Sequence, residues 1–81
     1  MQIQIRLFAI LRENAGLSQL ALELPDGSTI GSAEKSLQMK LPTICEFLPR
    51  VAYAVNRSYA TRNQILHDGD ELAIIPPVSG G

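Results

Sequence analysis

Glu71-Leu72-Ala73-Ile74-Ile75-Pro76-Pro77 is the stretch on which the fold turns. The unbroken apolar run from Leu72 to Ile75 predicts a strand covered on both faces, as in the middle of a mixed sheet. Asp68-Gly69-Asp70 ahead of it is a turn signal. Pro76 and Pro77 behind it cannot continue a central strand, and their fixed φ favours an extended exit. The sheet therefore ends at Ile75, and residues 76–81 are expected to form an extended, flexible C-terminal tail.

Working outward, the other strands come from alternation. Ile3, Ile5, Leu7 and Ala9 alternate with Gln2, Gln4, Arg6 and Phe8, so residues 2–10 read as a strand with one buried face. Arg12 to Gly16 is a polar break, read as a turn or short loop. Leu20, Leu22 and Leu24 alternate with Gln19, Ala21 and Glu23, giving a second strand that ends at Pro25 and can pair antiparallel with the first. After the Asp26-Gly27 turn, Ser28 or Thr29 is a good helix N-cap. Ile30, Ala33, Leu37 and Leu41 fall on one helical face, with Glu34, Lys35, Gln38 and Lys40 mostly elsewhere, and Pro42 ends the helix.

Ile44, Phe47 and Leu48 form a short apolar turn against the core. Residues 51–56 alternate large and small as a strand does, and a short edge strand is expected near Tyr59. The order is strand, strand, helix, strand, minor strand, strand. With the last strand parallel to the first, the helix crosses one face of the sheet. The fold class is α+β: a β-grasp (ubiquitin-like) mixed sheet of about five strands with one main helix on one face, spanning residues 1–75.

Eighty-one residues with 46% apolar content make one globular domain. Seven Lys and Arg against eight Asp and Glu leave a net charge of −1, without a block of one sign. That argues against nucleic acid and a membrane surface as partners. The single cysteine, Cys45, excludes an intrachain disulfide framework and an all-cysteine metal or iron–sulfur site. With no apolar run near the ~20 residues of a bilayer span, and no continuous apolar leader, a soluble, cytoplasmic protein is expected.

Gly80 and Gly81 have no side chains, so a narrow enzyme channel can admit them and approach their backbone closely. Six extended residues reach ~20 Å, enough to carry a carboxylate clear of a small domain. The competing reading of such an end is a frayed terminus. Elsewhere the chemistry-bearing residues read as structural. His67 reads as a solvated loop residue and Cys45 as a small core residue. Asp68, Asp70 and Glu71 read as a turn entering a strand; no metal site is assigned. No nucleophile has a base near it that spacing can support.

Several segments together resemble one family. They are Leu7-Phe8-Ala9-Ile10-Leu11-Arg12-Glu13 with Gly16, Leu24-Pro25-Asp26-Gly27-Ser28-Thr29-Ile30, Ala54-Val55-Asn56, and Asp68-Gly69-Asp70-Glu71-Leu72-Ala73. With Ile75-Pro76-Pro77-Val78-Ser79-Gly80-Gly81 they cover essentially the whole chain and resemble the MoaD family of ubiquitin-like sulfur carriers, the small subunits of molybdopterin synthase. The resemblance implies that an ATP-using, E1-like activating enzyme (an adenylyltransferase) converts the Gly81 carboxylate to an acyl-adenylate. A sulfur donor protein then turns it into a thiocarboxylate. The tail, Pro77, Val78, Ser79 and Gly80, would enter the active site of the large synthase subunit. There Gly81 would deliver sulfur to precursor Z (cyclic pyranopterin monophosphate), two transfers building the dithiolene of molybdopterin.

The resemblance also implies a heterotetramer with the large subunit, no cofactor bound by this chain, and ATP consumed by the activating enzyme alone. It leaves a thiamine-pathway carrier and a non-catalytic β-grasp interaction module as alternatives. The docking surface follows from alternation: Phe8 and Ile10 point opposite to Ile3, Ile5 and Leu7. With Ile75 and Pro76 beside them they would form an apolar partner interface, or else a second small core under long loops. Arg12, Arg50 and Arg57 are candidate rim contacts.

Overall fold

A computed structural model describes residues 1–77. The chain runs β1 (Gln2–Leu7), α1 (Ala9–Ala15), β2 (Gln19–Glu23), α2 (Ile30–Lys40), a 3-10 segment (Pro42–Arg50), β3 (Ala52–Val55), β4 (Ser58–Ala60) and β5 (Glu71–Ile75). The sheet order is β2-β1-β5-β3-β4. β1 and β5 run parallel, with Ile5 opposite Leu72, and every other pairing is antiparallel. This is the expected β-grasp, with α2 crossing one face.

The core lies between that face and the helical layer. Ile3, Ile5, Leu7, Leu22, Leu72 and Ile74 from the strands meet Leu11, Ile30, Ala33, Leu37, Ile44 and Leu48 from the helices. Each large aliphatic side chain so buried contributes roughly 1.5–3 kcal/mol. α2 starts where expected: Thr29 Oγ1 accepts from the Ser32 N–H at 3.2 Å. It stops at Lys40, immediately before Leu41 and Pro42. The Leu41 N–H still donates to the Leu37 carbonyl at 2.7 Å.

The structure departs from the sequence reading at four places. The first strand stops at Leu7, not residue 10, and residues 9–15 are a helix rather than strand and loop. Ala9 has φ 50°, a left-handed conformation that breaks the extended chain and turns it into α1. Leu11 of that helix is fully buried. Gly16, at φ 78°, closes the helix. Its N–H donates to the Arg12 carbonyl at 3.0 Å. The second departure is β5, which is not covered on both faces: Leu72 and Ile74 are buried while Ala73 and Ile75 are only half-buried. The helices pack on one side, so among the described residues the other face of the sheet has no layer of its own.

The third departure is Glu34, which lies buried on α2 and pairs with Arg62 rather than facing solvent. The fourth is Cys45, half-buried on the 3-10 segment and outside the core, its Sγ donating to the Gln38 carbonyl at 3.4 Å. Among the described residues, no helix is long and apolar enough to cross a membrane.

Candidate functional site: the open face of the sheet

Strand register builds the open face. Arg6 of β1, Ala73 of β5, Ala54 of β3 and Tyr59 of β4 are successive partners across the sheet, so they form one row on the side away from α2. The two alanines in the middle are small and the residues at the ends are large. The row is therefore a groove with a low apolar floor. Ala54 is buried without joining the core cluster, because its cover comes from this face.

Phe8, Tyr59 and Ile75 supply the remaining apolar lining, with Phe8 38% and Tyr59 79% exposed. Aromatic surface left this open on a small domain marks an interaction site more often than chance. Arg6, Arg57 and Glu71 supply the charge. Arg6 reaches Glu71 at 3.7 Å. It also stacks over Phe8, its guanidinium carbon 5.6 Å from the ring centroid. Both side chains of that ion pair are well exposed, so it orients more than it stabilises.

The groove meets the start of the tail. Ile75 lines it, half-buried Pro76 follows, and Pro77 is exposed. Anything seated against Phe8 and Ile75 therefore lies beside the point where the chain leaves the sheet. Of the residues expected at an interface, Phe8, Ile75 and Arg57 are brought together here. Ile10 is exposed but sits on α1, so strand parity does not place it with Phe8. Arg12 lies on α1 and Arg50 ends the 3-10 segment; neither lines the groove. Val78, Ser79, Gly80 and Gly81 lie outside the described residues.

Arg6, Ala54, Tyr59 and Ala73 were not anticipated as lining residues. Their signal was available: once β5 is paired with both β1 and β3, parity alone puts them in one row. The acidic turn is occupied structurally. The Asp68 carboxylate accepts the Gln2 N–H at 2.7 Å, and that of Asp70 accepts the His67 N–H at 2.8 Å and the Asn56 amide at 2.9 Å. His67 itself is a largely exposed loop residue.

The model of the ThiS family matches residues 5–81 of the chain. The molybdopterin synthase sulfur carrier subunit of Arabidopsis thaliana is 42% identical over 80 residues, covering 99% of this chain and 83% of that protein. The molybdopterin synthase sulfur carrier subunit of Chlamydomonas reinhardtii is 36% identical, with 100% of each chain covered. Among solved structures, SAMP1 from Haloferax volcanii matches with a TM-score of 0.92 at 28% identity, covering 100% of both chains.

Proposed function

Because the chain belongs to the ThiS family, we propose that it is the sulfur carrier subunit of a molybdopterin synthase. The observation that carries this reading is end-to-end identity of 36% to a relative of that name whose whole length is covered. The open sheet face supports it, since a carrier needs a surface by which other enzymes hold it. The reactive group is the Gly81 carboxylate. A carboxylate is a poor acceptor for sulfur, because its charge is delocalised and oxide is a very poor leaving group.

Activation removes that obstacle. A carboxylate oxygen of Gly81 attacks the α-phosphorus of ATP in an E1-like activating enzyme, and pyrophosphate leaves. Sulfur from a donor protein then displaces AMP, leaving a thiocarboxylate that is a soft nucleophile at neutral pH. The tail next enters the large synthase subunit. There the thiocarboxylate sulfur attacks a cyclic pyranopterin monophosphate. Water cleaves the acyl carbon–sulfur bond, so that sulfur stays on the pterin and the Gly81 carboxylate is restored, and two such deliveries complete the dithiolene. Gly80 and Gly81 suit both enzymes, since only a backbone without side chains passes a narrow channel. Acid–base groups for these steps belong to the partners. A cytoplasmic setting fits, because a lone cysteine stays reduced there.

Reconstitution tests the reading. The chain is incubated with an activating enzyme, ATP and a sulfur source, and its intact mass is measured. A gain of one sulfur-for-oxygen exchange is expected, followed by dithiolene formation once the large subunit and pterin precursor are added. An unchanged mass would make the chain a non-catalytic β-grasp module. A thiocarboxylate that yields no dithiolene would point to the thiamine-type carrier.

A further inference from the structure

The β3–β4 hairpin carries an arginine where the backbone favours glycine. Val55 and Ser58 pair across a two-residue turn, and the residues between them, Asn56 and Arg57, have φ of 49° and 72°. This is the left-handed pair of a type I′ turn, for which Asn-Gly is the preferred sequence. Asparagine is at home in the first position. A long side chain in the second is strained. The same chain places glycine at left-handed positions of two other turns, Gly27 and Gly69, both with φ of 86°.

Arg57 has no local way out of that conformation. The Asn56 N–H donates to the Glu71 carbonyl at 2.8 Å, its side-chain amide donates to Asp70 at 2.9 Å, and its Oδ1 accepts the Glu71 N–H at 3.0 Å. These bonds fasten the turn to the start of β5. Strain held in place by such a clamp calls for a reason outside the fold.

The reason lies in where the side chain goes. Arg57 lines the open groove beside Tyr59, above the floor made by Ala54 and Ala73. Arg6, the other cation of this face, is paired with Glu71, whereas Arg57 makes no ion pair among the described residues. An un-neutralised guanidinium at the edge of an apolar hollow is complementary to a carboxylate flanked by an apolar side chain. We infer that Arg57 is a specificity-determining residue of this face. It receives a carboxylate of the large synthase subunit while an apolar side chain of that subunit seats on Ala54 and Ala73. The inference rests on the sulfur-carrier reading and adds to it the residue that selects the partner.

Glycine at position 57 separates binding from folding, because it relieves the backbone while deleting the cation. The full chain and its Arg57→Gly, Arg57→Lys and Arg57→Glu variants are titrated calorimetrically at low and high salt with purified large subunit and, separately, with the activating enzyme. Their thermal unfolding is recorded in parallel. Arg57→Gly is expected to melt at or above the wild-type temperature, yet to bind about tenfold more weakly. Lys should recover part of the affinity, Glu should bind weakest, and the salt dependence of the wild type should shrink in Arg57→Gly.

Affinity of Arg57→Gly within about twofold of wild type would overturn the inference, as would a lower melting temperature. Weakened binding confined to the activating enzyme would overturn the choice of partner. A wild-type chain that does not bind the large subunit at all would instead overturn the carrier reading itself.

Discussion

Arg62 Nε lies 2.6 Å from Glu34 Oε2, and this pair ties α2 to the loop after β4. The fork is completed by Arg62 Nη2, which donates to Glu34 Oε1 and to the Leu48 carbonyl, each at 3.2 Å. One guanidinium thus joins three segments of the helical side of the fold. The hydrogen bond to Glu34 and then its charge raise the Arg62 pKa further above its ordinary value. The same guanidinium carbon lies 5.8 Å from the centroid of the Tyr53 ring.

Glu34→Ala removes the acceptor of that fork. The Glu34 side chain is 11% exposed and that of Arg62 is 49% exposed, so the stranded cation can turn to water. The loss is therefore that of charge-assisted hydrogen bonds rather than of a sealed ion pair, which would be far larger. A fall in melting temperature of about 5 °C is expected for a domain of this size. Arg62→Ala should shift it in the same direction. A Glu34→Ala melt within about 1 °C of wild type would show the fork to be energetically idle.

Tyr53 sits against this pair with its hydroxyl buried and without a hydrogen-bond partner among the described residues. Burial, and after it the nearby Glu34 carboxylate, push the phenol well above its ordinary value. The folded state thus holds that proton more tightly than the unfolded chain does. Its contribution is complete below the unfolded phenol value of about 10 and is lost as pH rises beyond it. Tyr53→Phe removes both the orphaned hydroxyl and the titration. At neutral pH it should be as stable as wild type or more so, and its urea midpoint should fall less steeply above pH about 10. Parallel midpoints for the two proteins across the alkaline range would disprove this assignment.

Gly31 lies in the first turn of α2, where glycine is not required by the backbone. An added Cβ would meet the Arg62 carbonyl at 3.5 Å and Thr29 Oγ1 at 3.6 Å, both ordinary contacts. The Gly31 N–H bond to the Arg62 carbonyl, 3.0 Å, would survive the change. Gly31→Ala should therefore stabilise the protein by about 0.5 kcal/mol, through helix propensity and a less flexible unfolded chain. Gly69→Ala, at φ 86°, should do the opposite. Equilibrium urea unfolding of the two variants checks the contrast, and destabilisation by Gly31→Ala would contradict it.

The strands, α2 with its Thr29 cap and the parallel pairing of β1 with β5 were legible because each rests on a period or a stop signal. Residues 8–16 were not. Ala9 is an unremarkable residue in an unusual conformation, and only Leu11 and Ala15, four apart, hinted at a helix. Glu34 follows the same logic: it stands four residues after Ile30, on the buried stripe, and its charge disguised that place. The open face was legible at Phe8 and Ile75, but its floor was not, because the unbroken run Leu72–Ile75 resembles a strand covered twice. Hydrophobicity along β5 cannot reveal that one face has no helix over it. Only pairing with both neighbours shows that Ala73 and Ala54 share an open floor.

Asn56 supplies the last prediction, because it couples the turn that carries Arg57 to β5. Its side chain makes two hydrogen bonds, to Asp70 and to the Glu71 N–H, and its backbone is left-handed. Asn56→Ala loses both bonds and also places a less tolerant residue at positive φ. Asn56→Gly loses the bonds alone. A loss of about 1 kcal/mol is expected for Gly, and about twice that for Ala. β4 is a three-residue edge strand with no partner on its outer side among the described residues, so it should respond first. Amide exchange at Ser58–Ala60 should quicken in both variants, while that of Ile5 and Leu72 at the sheet centre follows only the global loss. If exchange rose uniformly across the sheet instead, Asn56 would be a general stabiliser and not the fastening of this turn.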